Sequence, residues 1–274
     1  MMHSLTTFTK LIFLKLGGSL ITDKSRPHTV DFQILARLAN EIHTAMKENP
    51  DLYLVLGHGS GSFGHVPAKK FGTRQGVRTE TGWQGFVEVW REAAALNHHV
   101  TKALSESGLL AISMPPSGSI IAYDGEISSW DLSPLTSALQ AGLLPVIYGD
   151  VVFDKNRGGT ILSTEDLFTY LVNQLTPSHI LLAGREPGVW SDYPESKILL
   201  TDISAHNMEK INPFLEGSSN TDVTGGMASK VQQSLELVQK YPGLEISIFS
   251  GETPGAVQRA LLGAREGTTI HNRD

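Results

Sequence analysis

LGHGSGSFGH, Leu56 to His65, is the stretch on which the reading of this chain turns. Within it Gly59, Gly61 and Gly64 fit the spacing G-x-G-x-x-G. A dinucleotide fold places that spacing after the first strand of a βαβ unit and answers it with an acidic residue about 20 positions on. Here it follows the second apolar run of the chain, and Glu80, at roughly that distance, stands in the polar run GVRTETGW instead of ending a strand. The position argues against nicotinamide binding. What remains is a loop of three glycines and two serines, rich in N–H and O–H donors that suit phosphate oxygens. His65, directly after the last glycine, can donate to a phosphate; the plainer alternative is a helix-terminal histidine satisfied by backbone. His58 reads as structural.

The neighbourhood repeats the design. LIFLKLGG, LYLVLGHG, LLPVIYGD, HILLAG and LEISIFSG are short apolar runs that stop at glycine. Such runs mark central parallel strands whose C-terminal ends face a site. Between them lie helical stretches at 31–48, where Leu35, Leu38, Ala39, Ile42 and Met46 recur at helical spacing, and at 83–106, 164–175 and 227–240. Strand alternating with helix predicts an α/β fold with a doubly wound, mainly parallel sheet. Residues 151–162 read as a hairpin around a Gly-Gly turn. TPS at 176–178 is a seam within one domain of 274 residues, between lobes 1–177 and 178–274.

Composition narrows the function. A 40% hydrophobic, 18% charged chain builds a core. A net charge of −6 argues against a nucleic-acid or anionic-membrane partner, so an anionic substrate has to be drawn by a few local lysines. With no cysteine, disulfides, thiolate metal sites and cysteine nucleophiles are excluded. The opening MMHSLTTFTK lacks the apolar stretch of a signal peptide, and no segment approaches the ~18 apolar residues of a membrane span. The expectation is a soluble cytoplasmic protein.

Three further segments carry chemistry. In KLGGSL, Lys15 to Leu20, a strand ends on two glycines that let backbone approach an anion, with Lys15 just before the turn. Lys24 and Arg26 follow in TDKSRP. In STEDLF, 163–168, Ser163 and Asp166 form a capping box, and the other role open to Asp166 is to hold two lysines near transferring phosphates. In DVTGGMASK, 222–230, Thr224, Gly225 and Gly226 form another phosphate-friendly turn, and Lys230 sits one turn into the next helix. Three such turns, two with lysines, are hard to explain as coincidence. There is no G-x-x-x-x-G-K-[ST], so this is not a P-loop enzyme.

KLGGSLITDK, GHGSGSFGH, AKKFG, LPVIYGDVVFD, TDVTGGMASK and ALLGAREGTTI, in that order along nearly the whole chain, resemble the amino acid kinase superfamily, and more narrowly its isopentenyl phosphate kinase branch. The SFGH histidine and DVTGGM separate that branch from acetylglutamate, aspartate and uridylate kinases. The resemblance implies a three-layer αβα sandwich with a mainly parallel central sheet, ATP and Mg2+ as cofactors, an isoprenyl monophosphate as substrate, and a homodimer. It implies that Lys15, Gly17, Gly18 and Ser19 contact ATP phosphates, with Gly61 where the two phosphate chains meet. Ser60 and His65 would hold the acceptor phosphate, with Gly149 nearby, and Lys24 would stabilise the charge in transit. Asp166 would orient Lys15 and Lys230, and Lys230 with Gly226 would meet ATP. Ser60 stands where the family usually has glycine, STED replaces SGDD, and AGREPGV at 183–189 replaces TDVDGV, which leaves the nucleotide preference open.

The chemistry is self-consistent. A phosphate monoester has its second pKa near ~6 and is largely a dianion at pH 7. Its oxygen needs no general base, only cations and donors that bring two polyanions together. An isoprenoid tail also needs an apolar wall. Phe86, Val89, Trp90 and Ala93 share one helical face by spacing; core packing is the equal alternative. By the resemblance, Phe86 and Val89 are the best wall residues, with Val151 and Ile161 behind them. Two rivals remain: a fosfomycin kinase-like enzyme, which needs less apolar volume, and a nucleotide-sensing protein on the same fold, which has no need of Lys15, Lys24, Asp166 and Lys230 together.

Overall fold

The computed structural model describes residues 8, 10–23, 25–191, 195–204 and 226–273. β1 (Leu11–Leu16) is central because both its faces are apolar. Ile12, Leu14 and Leu16 join one core, with Leu35 and Leu38 of α2 (Phe32–Glu48) and Leu96 and Val100 of α4 (Glu80–Glu106). Leu11 and Phe13 join the other, with Phe168 and Leu171 of α6 (Thr164–Leu175) and Val231 and Leu235 of α7 (Gly226–Lys240). Alternate side chains of one strand thus feed two cores, as a strand covered by helices on both faces requires.

β2 (Tyr53–His58) and β9 (His179–Gly184) flank β1 in parallel. Outward on one side lie β6 (Leu144–Tyr148) and the edge strand β3 (Ala111–Ser113); on the other, β13 (Glu245–Ser250), β14 (Thr268–His271) and β12 (Asp202–Ser204). The eight-stranded order is β12-β14-β13-β9-β1-β2-β6-β3. All neighbours are parallel except β13 and β14. All five glycine-terminated runs are strands of this sheet, and the sheet is continuous across residues 176–178, since β9 pairs directly with β1.

The helices follow the apolar spacing, with ends set by caps. Asp31 accepts from Ile34 N at 3.0 Å to start α2. Thr79 accepts from Gly82 N at 3.1 Å, so α4 begins at Glu80, earlier than the apolar pattern alone marks it. On α4, Phe86, Val89, Ala93 and Leu96 face inward, whereas Trp90 is 43% exposed. Trp90 therefore leaves the face on which its spacing placed it and lies with the exposed Trp83 and Val87.

A second sheet of four strands runs β5 (Glu126–Trp130), β4 (Ile120–Tyr123), β7 (Asp150–Asp154) and β8 (Gly158–Leu162). β7 and β8 are the expected hairpin, but Gly158 and Gly159 lie in β8 and not in its turn. The Asp154 carboxylate makes the turn by accepting from Asn156 N at 2.8 Å and Arg157 N at 2.7 Å.

Candidate active site

The C-terminal ends of β1, β2 and β9 bring two glycine turns into backbone contact. Gly17 N donates to Ala183 O at 2.8 Å, and Gly59 N donates to Leu16 O at 3.0 Å. A Cβ on Gly18 would lie 2.2 Å from Gly61 N, so no larger residue fits there. Gly61, at φ +51°, opens α3 (Gly61–Phe71), and a Cβ on it would meet Thr22 Oγ1 at 2.2 Å. Thr22 Oγ1 in turn accepts from Ser62 N at 3.0 Å and donates to Gly18 O at 2.7 Å. KLGGSL and GHGSG are therefore one structure. Lys15, Gly17, Gly18, Ser19 in α1 (Gly18–Ile21), Ser60 and Gly61 all belong to it.

Ser60 folds over the first turn of α3, where a Cβ on Gly64 would meet its Oγ at 3.1 Å. His65 lies on the exposed side of that turn. Gly149, between β6 and β7, donates from N to His58 O at 3.4 Å and so abuts the same turn. Lys24, Thr224 and Gly225 lie outside the described residues, and Gly226 begins α7.

The start of α6 supplies the carboxylate. Ser163 accepts from Asp166 N at 3.1 Å, and Asp166 Oδ2 accepts from Ser163 N at 2.7 Å, closing the capping box. Asp166 also pairs with Arg74 Nη2 at 3.1 Å. Glu165, not Asp166, pairs with Lys15. Burial raises the Glu165 carboxyl, and the ammonium groups of Lys15 and, more weakly, Lys230 more than offset that, so its pKa falls below the ordinary glutamate value. Glu165 and Lys230 line one small cavity between α6, α7, β9 and β13. Asp166, expected to orient Lys15 and Lys230, is engaged by the helix cap and Arg74, and the carboxylate that pairs with Lys15 is its neighbour Glu165. That was the available signal: when one of two adjacent carboxylates closes a capping box, the other is free to turn inward. Arg74, Thr22 and Thr164 were not singled out by the sequence and have no motif to mark them.

Phe86, Val89 and Val151 form a third, separate apolar cluster with Val77, against which Ile161 packs. Gly159 leaves room for the Phe86 ring, which a Cβ there would meet at 2.8 Å. Trp83 and Phe153 extend the cluster to the surface, their rings 5.2 and 5.4 Å from that of Phe86.

The site thus joins two touching glycine turns, a lysine paired with a partly buried carboxylate, and an apolar cluster against which Ala68 of α3 packs. Comparison with known proteins points the same way. Residues 10–250 match the model of the amino acid kinase family. The chain is 36% identical to an isopentenyl phosphate kinase of Methanothermobacter thermautotrophicus, over 95% of this chain and 98% of that protein. It is 35% identical to an isopentenyl phosphate kinase of Methanocaldococcus jannaschii with the same coverage. A solved structure of isopentenyl phosphate kinase superposes with a TM-score of 0.79 at 32% identity, covering 95% of this chain and 99% of that one.

Proposed function

The chain belongs to the amino acid kinase family, and from that premise we propose that it transfers the γ-phosphoryl group of ATP to isopentenyl phosphate, giving isopentenyl diphosphate and ADP. An oxygen of the acceptor phosphate forms the new P–O bond as the bond from the γ-phosphorus to its bridging oxygen breaks. The acceptor dianion needs no base. The observation that carries the reading is the backbone contact between the Gly17–Gly18 and Gly59–Gly61 turns, beside the Lys15–Glu165 pair. Two phosphate chains laid on two touching turns meet end to end, which supplies proximity, and Lys15 offsets their repulsion.

In this reading Gly17, Gly18, Ser19 and Lys230 hold ATP, Gly226 lies beside its phosphates, and Glu165 keeps Lys15 and Lys230 apart and aimed. Ser60, His65 and Gly149 hold the acceptor phosphate, and Lys24 neutralises charge in transit. Phe86, Val89, Val151 and Ile161 wall the tail. Mg2+ would be held by the phosphates of the nucleotide and by water in preference to an all-protein cage, and would supply neutralisation of phosphate charge. Among the described residues no cluster of three or more His, Asp or Glu is placed to hold it alone. The enzyme works as a cytoplasmic homodimer. Leu110 and Ile112, 69% and 40% exposed at the unpaired edge strand β3, support self-association there.

Coupled ADP release with ATP and Mg2+ tests the assignment. Turnover should depend on isopentenyl phosphate and exceed that with fosfomycin. Fosfomycin as the far better acceptor would overturn the substrate, and no acceptor-dependent ADP would overturn the enzyme.

A further inference from the structure

His58 ends β2 with its side chain 1% exposed. Its Nδ1 lies 3.1 Å from the carbonyl oxygen of Gly59. A carbonyl only accepts, so Nδ1 carries a proton. Its Nε2 lies 3.2 Å from Asn97 Oδ1 on α4, and Asn97 Nδ2 lies 2.6 Å from Ser113 Oγ on β3. Ser113 is hydrogen-bonded to the Tyr148 hydroxyl. The Tyr148 ring stacks on the imidazole, 5.3 Å away and 10° from parallel.

Burial pushes the His58 pKa down, the hydrogen bond to the Gly59 carbonyl offsets part of that, and the Lys15 charge pushes it further down. The ring is therefore neutral, and Nε2 offers a lone pair. As placed, Asn97 Oδ1 faces that lone pair; the Gly59 carbonyl cannot turn but the amide can, so the neutral ring is satisfied when the amide is turned end for end, NH2 toward Nε2 and oxygen toward Ser113. Burial, reinforced by the Asp150 charge, holds the Tyr148 phenol well above its usual pKa, so it keeps its proton. With the amide so turned, Tyr148 donates to Ser113, Ser113 to Asn97 Oδ1, Asn97 Nδ2 to His58 Nε2, and His58 Nδ1 to Gly59 O. All the bonds run in one direction, which lets each polarise the next.

The backbone of the same residue holds two more parts of the site. His58 O accepts from Thr164 Oγ1 at 2.6 Å, at the start of the helix that carries Glu165, and from Gly149 N at 3.4 Å. We propose that His58 is a positioning residue for phosphoryl transfer: the Asn97–Ser113–Tyr148 relay locks it as the neutral Nδ1–H tautomer, and it thereby fixes the Gly59 carbonyl and the amides of the Gly59–Gly61 turn. The turn lies against Gly18 at backbone contact, so a small rotation of the Gly59 peptide displaces the nucleotide turn as well. The catalytic half of this proposal rests on the kinase reading above; the tautomer does not.

Two measurements test it. In imidazole-labelled protein, 15N NMR should find His58 protonated at Nδ1, bare at Nε2 and without titration between about pH 6 and 9. In kinetics, Asn97→Leu should lower kcat by about tenfold or more, with both KM values changed by less than about threefold, because misplacement acts on the reacting geometry. His58→Asn keeps an N–H near the Nδ1 position and should recover activity relative to His58→Leu. Ser113→Ala, the mildest change, provides a folded variant in which the NMR signature should weaken. An Nε2–H tautomer, a titrating ring, or unchanged kcat in folded Asn97→Leu overturns the proposal. So does equal kcat per folded molecule in His58→Asn and His58→Leu, the result of a purely structural histidine. A wild-type enzyme without activity on isopentenyl phosphate removes the kinase reading instead, and the NMR arm still decides the tautomer.

Discussion

Glu165 and Asp166 are adjacent carboxylates with different work, and the pair can be separated by substitution. Glu165→Gln removes the charge opposite Lys15 and should lower kcat by about 10²–10³, the scale of a lost transition-state contact, with little change in melting temperature. Asp166→Ala removes the capping partner of Ser163 and should cost about 1 kcal/mol of stability with less than about a tenfold loss in kcat. The reverse pattern would return the orienting role to Asp166. Asp150 gives a pH signature. It is fully buried, and burial pushes its carboxyl from 3.8 up to about 6, against the donated amides of Ser117 and Val151. The folded protein therefore holds this proton more tightly than the unfolded chain, and stability falls as pH rises from 3.8 to about 6. Asp150→Asn should stabilise the protein at pH 7.5 by at most about 2–3 kcal/mol, a gain that vanishes below pH 3.8. Denaturant midpoints across that range check it, and a gain independent of pH would contradict it.

At the scale of elements, what was legible depended on how one-sided the pattern was. β1, β2, β6 and β9 are largely apolar on both faces and β13 on one, and all five stop at glycine, so they announce themselves. α3 does not: it begins with glycine and serine and carries Pro67, which reads as loop until Thr22 and Ser62 tie its first turn to α1. β4 and β5 are short and mixed, and gain their place only from the hairpin beside them. Helix α4 and that hairpin together make the third apolar cluster, and Phe86 fills it from α4. Phe86→Ala should open about one ring of space and shift preference toward longer isoprenyl monophosphates, read as the ratio of kcat/KM between chain lengths. An unchanged ratio, with stability lowered by about 3–5 kcal/mol, would make Phe86 ordinary core.

For the whole molecule, the sheet order brings together turns that are far apart in sequence, and no local pattern gives that. Leu16 to Gly59 and Gly17 to Ala183 are the hydrogen bonds that assemble the cradle. Spacing alone suggested a dinucleotide turn at GSGSFG; the fold shows the same glycines cut away to admit a second glycine turn. The edge of the sheet carries the expectation of a dimer. Ile112→Lys on β3 should convert a dimer to monomer in sedimentation velocity while leaving the fold intact, and an unchanged sedimentation coefficient would place the interface elsewhere. The central claim is that a phosphate on one turn receives the γ-phosphoryl group held by the other, and 31P NMR of a running reaction follows it directly. With ATP, Mg2+ and isopentenyl phosphate, the acceptor singlet should shrink as the two coupled signals of a diphosphate ester grow, one for each ADP formed. ADP accumulating with inorganic phosphate, while the acceptor singlet stays constant, would contradict the account.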